Sequence, residues 1–295
     1  MSSPAIDLPP PARSRAIDML RLGGVPGLIV LVLFACIVVG GIWRLTGHVV
    51  TPYDPVALDL SSRLLPPTLA HPFGTDSLGR DVLSRVVAGA WFSLMTSMAV
   101  IAIAATIGTL TGAVAGLLGG LADEVLMRIT DLFLAFPALV LAAAISATFG
   151  GGLATTALAL AAVFWPWYAR IARARILGLK NLDFVTAAIT LGASRRYLLL
   201  VTLPPLLAPT VLVQMTMDVA FVTLSLSSLS FLGLGVQSPL PEWGGMVYEA
   251  LPSQPRAWWL AAFPGGAIAL TALAFNLLGD RLRDQFDPDH RRNGD

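Results

Sequence analysis

Long apolar runs separated by polar segments dominate the chain, and each is near the ~20 residues that cross a bilayer as a helix. The runs fall near residues 25–43, 91–118, 126–149, 153–169, 204–235 and 257–278. This pattern predicts an all-α polytopic membrane protein with about six transmembrane helices. Pro137, Pro166 and Pro264 lie inside runs and predict kinks rather than breaks, since neighbouring helices can satisfy the carbonyls that a proline frees.

The same pattern divides the chain into four segments. Residues 1–24 form a Pro- and Arg-bearing tail, and residues 25–90 hold the first span and a long, mostly polar loop. Residues 91–281 form the core of spans, and residues 282–295 form a second tail. A cleaved signal peptide is the alternative for the first run, but its leader is long and Gly40-Gly41-Ile42-Trp43 is a poor cleavage site. We therefore expect an uncleaved span.

Composition supports the membrane class and excludes an ATP site of the phosphate-loop type. The 295 residues are 56% hydrophobic and 13% charged, with a mean hydropathy of +0.75. A soluble domain of this length carries more charge. Cys36 is the single cysteine, which excludes an internal disulfide and a cysteine metal cluster. Lys180 is the single lysine and Asn181 follows it, so the phosphate-loop pattern ending in Gly-Lys-Ser/Thr is impossible.

The basic residues predict the orientation of the spans. With the amino terminus in the cytoplasm, most of the 19 Lys and Arg residues fall in cytoplasmic segments. Arg44, Arg63, Arg80 and Arg85 fall outside, in the long first loop, which counts less toward topology; Arg256 also falls outside. Both chain ends are therefore predicted to be cytoplasmic.

A polar-edged segment at residues 183–205 interrupts the apolar runs on the predicted cytoplasmic side. Asp183 can cap a helix that carries an apolar face at the i, i+3, i+4 and i+7 positions. Gly192 suits a left-handed helix stop, and Ser194 can cap a second helix. The face consists of Phe184, Ala187, Ala188 and Leu191. We interpret the segment as a docking element for a partner protein.

Two other interpretations of this segment are open. A helix-turn-helix can bind DNA, with Arg195 and Arg196 as phosphate contacts, but spans on both sides leave no free recognition helix. An ordinary amphipathic surface helix has the same periodicity. The pattern by itself does not separate that interpretation from docking.

The fifth run carries a polar stripe within an otherwise apolar span. Gln214, Asp218, Ser225 and Ser228 fall within a narrow arc at ~100° per residue. A carboxylate at mid-membrane costs ~2.5–3.5 kcal/mol on insertion scales, so Asp218 should face the bundle or water. Two roles are open for the stripe: it lines a pathway for hydrophilic cargo, or its hydrogen bonds join helices.

Charged clusters precede the second span and begin the third. Asp76, Arg80 and Asp81 lie in a turn-rich stretch that predicts a rigid hairpin with internal charge pairing. A calcium loop is less suitable there, because the alternating Asp/Asn ligand pattern is absent. At the other cluster, Arg128 is spaced for pairs with Glu124 and Asp131 along one helix face, which predicts an ion network near Asp123. No Ser-His-Asp set, paired acid/base or zinc pattern stands out.

Several of these segments resemble one known family. Thr186-Ala187-Ala188, Gly192 and Pro205 have the spacing of the cytoplasmic Glu-Ala-Ala signature of ABC importer permeases, with threonine in place of glutamate. The run from Gly74 to Asp81 is similar to the Gly-Thr-Asp-x-x-Gly-Arg-Asp segment of the C-type subunit of dipeptide/oligopeptide/nickel importers. Further matching runs are residues 123–137, 228–243 (ending in Glu242-Trp243) and 276–288.

The resemblance implies a fold and a set of partners. The fold is the type I ABC importer permease fold, in which residues 183–195 form a cytoplasmic coupling helix and its flank. The coupling residues would be Phe184, Ala187, Ala188, Leu191, Gly192 and Arg195. Asp76, Arg80, Asp81, Glu242 and Trp243 would lie on the outer face, and Asp123, Arg128 and Asp131 at the cytoplasmic end of the third span.

In such a complex the chain is a non-catalytic half of the translocation pathway in a bacterial plasma membrane. Its implied partners are a second, homologous permease, two ATPase subunits or a fused pair, and an external substrate-binding protein. ATP and magnesium would bind to the ATPase subunits, so no cofactor or nucleic acid is expected on this chain. Di- or oligopeptides are the expected cargo, with nickel or another small solute left open. An ion-coupled secondary transporter and a membrane scaffold remain alternatives from other classes.

Overall fold

The computed structural model describes residues 25–236 and 238–286. The predicted tail at residues 1–24 and most of the predicted second tail, residues 287–295, lie outside this part of the chain. The described residues are almost entirely helical, which confirms the all-α class. Their regular structure beyond helices is one isolated antiparallel bridge between Thr75 and Asp81, inside the predicted hairpin of the first loop.

The described ranges contain ten α-helices. In chain order they are α1 Val25–Thr46, α2 Val82–Leu118, α3 Gly120–Leu134, α4 Ala138–Thr148, α5 Leu153–Leu179, α6 Asp183–Thr190, α7 Arg195–Tyr197, α8 Pro204–Phe231, α9 Trp243–Ala250 and α10 Trp259–Phe286. Two short 3₁₀ turns, Leu60–Ser62 and Leu251–Ser253, and a π-helical turn at Leu198–Thr202 join them.

Four helices are long and apolar enough to cross a membrane: α1 from Gly27, α2, α8 and α10. Helices α3 and α4 together meet the same description, so they supply a fifth crossing if the pair is one span. The sequence predicts six spans, the remaining one at residues 153–169. That run lies in α5, which is long enough but carries Arg170, Arg173 and Arg175 in its second half.

The expected kink at Pro137 is wrong, because the chain breaks there instead. Helix α3 ends at Leu134, α4 begins at Ala138, and their axes differ by 86°. Pro137 has no amide N–H to continue the ladder, and its backbone is extended at ψ 122°. Pro166 and Pro264 do lie inside continuous helices, α5 and α10, as expected.

The longest helix, α2, lies against α5 through a row of glycines spaced four residues apart. A Cβ at Gly108 or Gly112 would collide with the carbonyl oxygens of Trp165 and Ala169, so only glycine permits this approach. Small residues on one face are the usual means of close helix packing in membranes. The small residues of the second apolar run, Gly108, Gly112, Ala115 and Gly116, predict such a close helix contact from the sequence alone, and the contact with α5 confirms it. It brings the backbones of α2 and α5 together along most of their length.

Apolar side chains form three clusters along the bundle. The central cluster joins α2, α4, α5 and α8 around residues such as Leu160, Phe164 and Leu226. A second cluster lies at the end that carries α9, which we call the α9 end, and includes Leu94 and Trp243. The third lies at the end that carries α6, called the α6 end. The two polar ends of the bundle therefore each have an apolar core beneath them.

Candidate docking surface and polar networks

Helix α6 is a two-turn helix with well-defined ends. Gly192 ends it at φ 90°, and the amide of Ala193 donates to the Ala188 carbonyl at 3.0 Å, so the predicted left-handed stop is confirmed. Ser194 caps the next helix by accepting from the Tyr197 amide at 3.2 Å, also as predicted. The predicted cap by Asp183 is wrong. Leu182 occupies the cap position, and Asp183 lies in the first turn, where its carboxylate interacts favourably with the helix dipole.

One face of α6 holds the helix against the bundle. Val185 is fully buried in the α6-end cluster, among Ile176 and Leu179 of α5 and Leu203 and Leu207 at the start of α8. Ala188 is half-buried against the same cluster. Ala188 therefore lies at the edge of the predicted outward face, partly covered by the bundle, and its coupling role stays a prediction.

The opposite face of α6 is apolar and open. Phe184 is 50% exposed, Leu191 is 88% exposed, and Ala187 between them is exposed as well. We call Phe184, Ala187 and Leu191 the docking surface. Gly192 and Arg195 flank it and are exposed. Phe184, Ala187 and Leu191 share one exposed face of α6, and Val185, which the sequence pattern did not single out, holds the helix on the bundle. Their role in docking stays a prediction.

The four residues of the polar stripe on α8 have different surroundings in the structure. Tyr168 of α5 donates its hydroxyl to Asp218 Oδ2 at 2.6 Å, and Gln214 Nε2 donates to Asp218 Oδ1 at 2.8 Å. Both oxygens of the half-buried Asp218 carboxylate therefore accept hydrogen bonds from residues of this chain. Ser225 is buried and donates to the Phe221 carbonyl at 2.8 Å. The bond from Tyr168 fits a helix-joining role for Asp218, whereas the bond of Ser225 stays within α8.

The remaining two stripe residues border cavities. Gln214 lies on a cavity of about 530 Å³ at the α6 end. Ser228 donates to the Leu224 carbonyl and lies on a separate cavity of about 320 Å³ beneath α9. The stripe is therefore not one continuous lining. Tyr168 is a partner that the sequence pattern did not indicate, since it lies 50 residues away from Asp218.

A buried ion network fixes the first loop at the α9 end. Arg80 is 2% exposed and Arg85 is 1% exposed. Arg80 Nε lies 2.6 Å from Asp76 Oδ2, as the predicted internal pairing requires. The second partner is Glu249 of α9, whose Oε2 lies 2.8 Å from Arg80 and 3.0 Å from Arg85. Glu249 was missed because it is far away in sequence.

Asp81 has a structural role beside this network. Its Oδ2 accepts from the amide of Ser84 at 2.8 Å and caps α2, and its Oδ1 lies 2.9 Å from His71 Nδ1. Because the carboxylate both caps the longest helix and holds the hairpin, it fixes the point where the loop enters the bundle.

Glu242 and Trp243 begin α9 and are fully buried. The Glu242 carboxylate accepts from the amides of Gly244 at 3.0 Å and Gly245 at 2.8 Å. Burial raises the pKa of Glu242, and these two amide bonds act in the opposite direction. Trp243 donates from Nε1 to the Val86 carbonyl at 2.9 Å. Ser93 of α2 also donates to Glu242 Oε1 at 3.3 Å. Both side chains therefore join α9 to α2, and neither is available at the surface.

The ion network predicted along α3 is wrong in its pairing. Asp123 pairs with Arg173 of α5 through bonds of 2.5 and 2.6 Å, and Asp131 pairs with Arg170 of α5 at 2.6 Å. Arg128 forms no ion pair with any residue in the described ranges. The two acids project toward α5, so the charges join two helices instead of lying along one.

A second basic feature lies at the α6 end. Arg175 of α5 and Arg283 of α10 border the 530 Å³ cavity together with Thr210, Gln214 and Met217 of α8. Within residues 25–236 and 238–286, no acidic side chain borders the cavity and neither arginine forms an ion pair. Neither position was singled out from the sequence, because they lie on helices that are distant along the chain.

A family model and individual relatives indicate the same family for this chain. Residues 108–292 match the family described as "Binding-protein-dependent transport system inner membrane component". The chain is 43% identical to the "Probable D,D-dipeptide transport system permease protein" of Escherichia coli, over 90% of this chain and 87% of that protein. It is 39% identical to the nickel transport system permease protein of Escherichia coli, over 88% and 92%. It is 42% identical to the di/tripeptide transport system permease protein of Pseudomonas aeruginosa, over 81% of each.

Proposed function

Because this chain belongs to the binding-protein-dependent transport system inner membrane components, we propose that α6 couples it to ATPase subunits and that its cargo is a short peptide. The chain is a multi-pass membrane permease subunit of an ABC importer. It forms half of the translocation pathway and itself performs no hydrolysis. ATP and magnesium bind to two separate ATPase subunits or to a fused pair.

The observation that carries the coupling proposal is the two-sided packing of α6. Val185 holds the helix on α5 and α8, while Phe184, Ala187 and Leu191 remain open. Burying a large apolar side chain is worth about 1.5–3 kcal/mol, so Phe184 and Leu191 can hold a partner through a small contact. A helix that is anchored on one side and apolar on the other transmits a partner's motion to the spans.

The route of that motion is given by the helices on either side of α6. The span α5 precedes it and the span α8 follows it after α7, and Val185 lies in one apolar cluster with Leu179 of α5 and Leu207 of α8. Deeper in the bundle, Tyr168 and Asp218 tie α5 to α8. Displacement of α6 by the ATPase subunits should therefore move the two spans together, as alternating access between rigid bundles requires.

The remaining partners and the orientation complete the proposal. A second, homologous permease forms the other half of the pathway, and an external binding protein delivers cargo at the α9 end. The α6 end faces the cytoplasm, with both chain ends on that side, and the complex lies in a bacterial plasma membrane. The cytoplasmic excess of Arg residues supports this orientation.

Peptide is the first candidate for the cargo and nickel the second. Relatives are named for transport of D,D-dipeptides and of di- and tripeptides, which supports the peptide. One relative is named for nickel transport at a similar identity, so nickel is retained.

Reconstituted transport tests the proposal. The full complex in liposomes, with its binding protein outside and ATP on the α6 side, should accumulate labelled dialanine only when ATP is hydrolysed. Accumulation of nickel instead of dialanine would identify nickel, the second candidate, as the cargo. Uptake driven by an ion gradient without ATP would contradict the importer mechanism and indicate a secondary transporter.

A further inference from the structure

The cavity bordered by Arg175 and Arg283 has the composition of an anion site. It has a volume of about 530 Å³, enough for a small organic solute, and opens at the α6 end. Its two guanidinium groups come from different helices, α5 and α10. In the part of the chain that the structure describes, no carboxylate borders the cavity and neither arginine is paired. Two positive charges at one concave site attract an anion.

The neutral side chains around the arginines suit a polar ligand. Thr210 of α8 offers a hydroxyl, and Gln214 offers the free part of its amide group. Arginine is the residue best suited to a carboxylate, because its planar fork donates two parallel hydrogen bonds. The nearest acid along α8, Asp218, does not border the cavity, and its oxygens accept from Tyr168 and Gln214.

The cavity also follows the direction that cargo must take. On α8 it extends from Pro209, near the α6 end, to Met217, a rise of about 12 Å at 1.5 Å per residue. Its deep end lies beside the Gln214–Asp218 pair, and its shallow end lies at Arg283 in the last turn of α10. A solute leaving the spans toward the α6 end would therefore pass both arginines.

We propose that this cavity is an exit site for a solute with a free carboxylate, held by Arg175 and Arg283 on its way to the cytoplasm. The inference rests on the proposed importer function and narrows its substrate class. A peptide with a free carboxyl terminus supplies the anionic group that two guanidinium groups attract. A bare divalent cation such as Ni²⁺ is repelled by them, so the site favours the peptide over the metal.

Equilibrium binding to the full, nucleotide-free complex tests the site. The complex is placed in phosphatidylcholine nanodiscs without its binding protein, and labelled dialanine and dialanine amide serve as probes. They differ only in the terminal carboxylate. Arg175→Gln and Arg283→Gln are each expected to weaken dialanine binding about tenfold, as loss of a charge-assisted hydrogen bond predicts. Dialanine amide should bind weakly to every variant, and Lys180→Gln, which removes a charge at the same end but outside the cavity, should match the parent.

Three results would overturn the inference. Equal dialanine binding by the parent and both arginine variants would mean that the arginines hold no peptide. Equal binding of dialanine and its amide would mean that the carboxylate is not recognised. Phosphatidylglycerol that copurifies with the parent but not with Arg175→Gln, together with unaltered dialanine binding, assigns the cavity to a lipid headgroup.

The uptake assay in liposomes distinguishes a wrong exit site from a wrong importer function. If only the exit site is wrong, ATP-driven dialanine uptake in liposomes is present and equal in the parent and the arginine variants. If the importer function is wrong, that uptake is absent in all of them.

Discussion

The hydroxyl of Tyr168 lies 2.6 Å from Asp218 Oδ2 and joins α5 to α8 inside the bundle. These are the long helices that precede and follow α6 in the chain, and both pack against Val185 in the α6-end cluster, so the bond joins the helices that support the docking surface. Tyr168 is almost fully buried, and its partner accepts a second bond from Gln214. The polar stripe of α8 therefore holds helices together at this level.

The first prediction concerns this bond. Tyr168→Phe keeps the ring packing but removes one of the two hydrogen-bond donors to Asp218, and loss of a hydrogen bond to a charged group costs about 1.5–3 kcal/mol. The purified complex should unfold at a lower temperature. Tyr197→Phe, at an exposed tyrosine, is the matched control and should leave the midpoint unchanged. Equal midpoints for both variants would mean that the bond does not stabilise the bundle.

The second prediction concerns the buried arginines at the α9 end. Glu249→Gln leaves Arg80 and Arg85 with Asp76 as their remaining carboxylate. Breaking a fully buried pair costs about 3–5 kcal/mol, and less is expected here because the Glu249 side chain is 29% exposed. The first loop should loosen, so trypsin should cleave faster after exposed Arg63. The neighbouring change Tyr248→Phe should leave the cleavage rate as in the parent, and an unaltered rate in Glu249→Gln would remove the network's role in fixing the loop.

The third prediction concerns the contact between α2 and α5. Gly112→Ala places a methyl group against the Ala169 carbonyl, where a Cβ has no room. Overpacking of this kind costs about 1–3 kcal/mol or more, so the yield of folded protein and its unfolding temperature should fall. Gly266→Ala in α10 meets no neighbouring atom and is the control. If both variants fold equally well, the backbones of α2 and α5 do not approach as closely as described.

Features that depend on local sequence could be predicted. Helical class, the stop at Gly192, the cap at Ser194 and the close approach at Gly108 and Gly112 all follow from residue type and spacing. The break at Pro137 was mistaken for a kink. The sequence does not show whether a neighbouring helix satisfies the freed carbonyls or the chain turns instead.

Partners across the fold could not be predicted. Glu249 lies 169 residues from Arg80, and Arg173 lies 50 residues from Asp123. No spacing rule relates such positions, so the pairs emerge only when helices are packed. The ion network of α3 was therefore assigned within one helix, although its acids bind α5. The partial burial of Ala188 could not be predicted for a related reason. A small residue at the edge of an apolar arc fits either face, and burial of Val185 decides between them.

We expect the exposed face of α6 to bind the ATPase subunits. Ala187→Asp places a carboxylate between Phe184 and Leu191, where docking would bury it without a partner at a cost of several kcal/mol. Val185 still anchors the helix, so the variant should insert and retain its partner permease.

Copurification of the ATPase subunits with tagged Ala187→Asp, beside Thr190→Asp as control, shows whether this face holds them. Thr190 is exposed on the same helix but outside the docking surface, so the two variants add the same charge. We expect Ala187→Asp to lose the ATPase subunits, or to retain them with ATP hydrolysis uncoupled from transport, while Thr190→Asp keeps most of both. If Ala187→Asp retains the ATPase subunits and transports as the parent does, α6 is not the coupling surface.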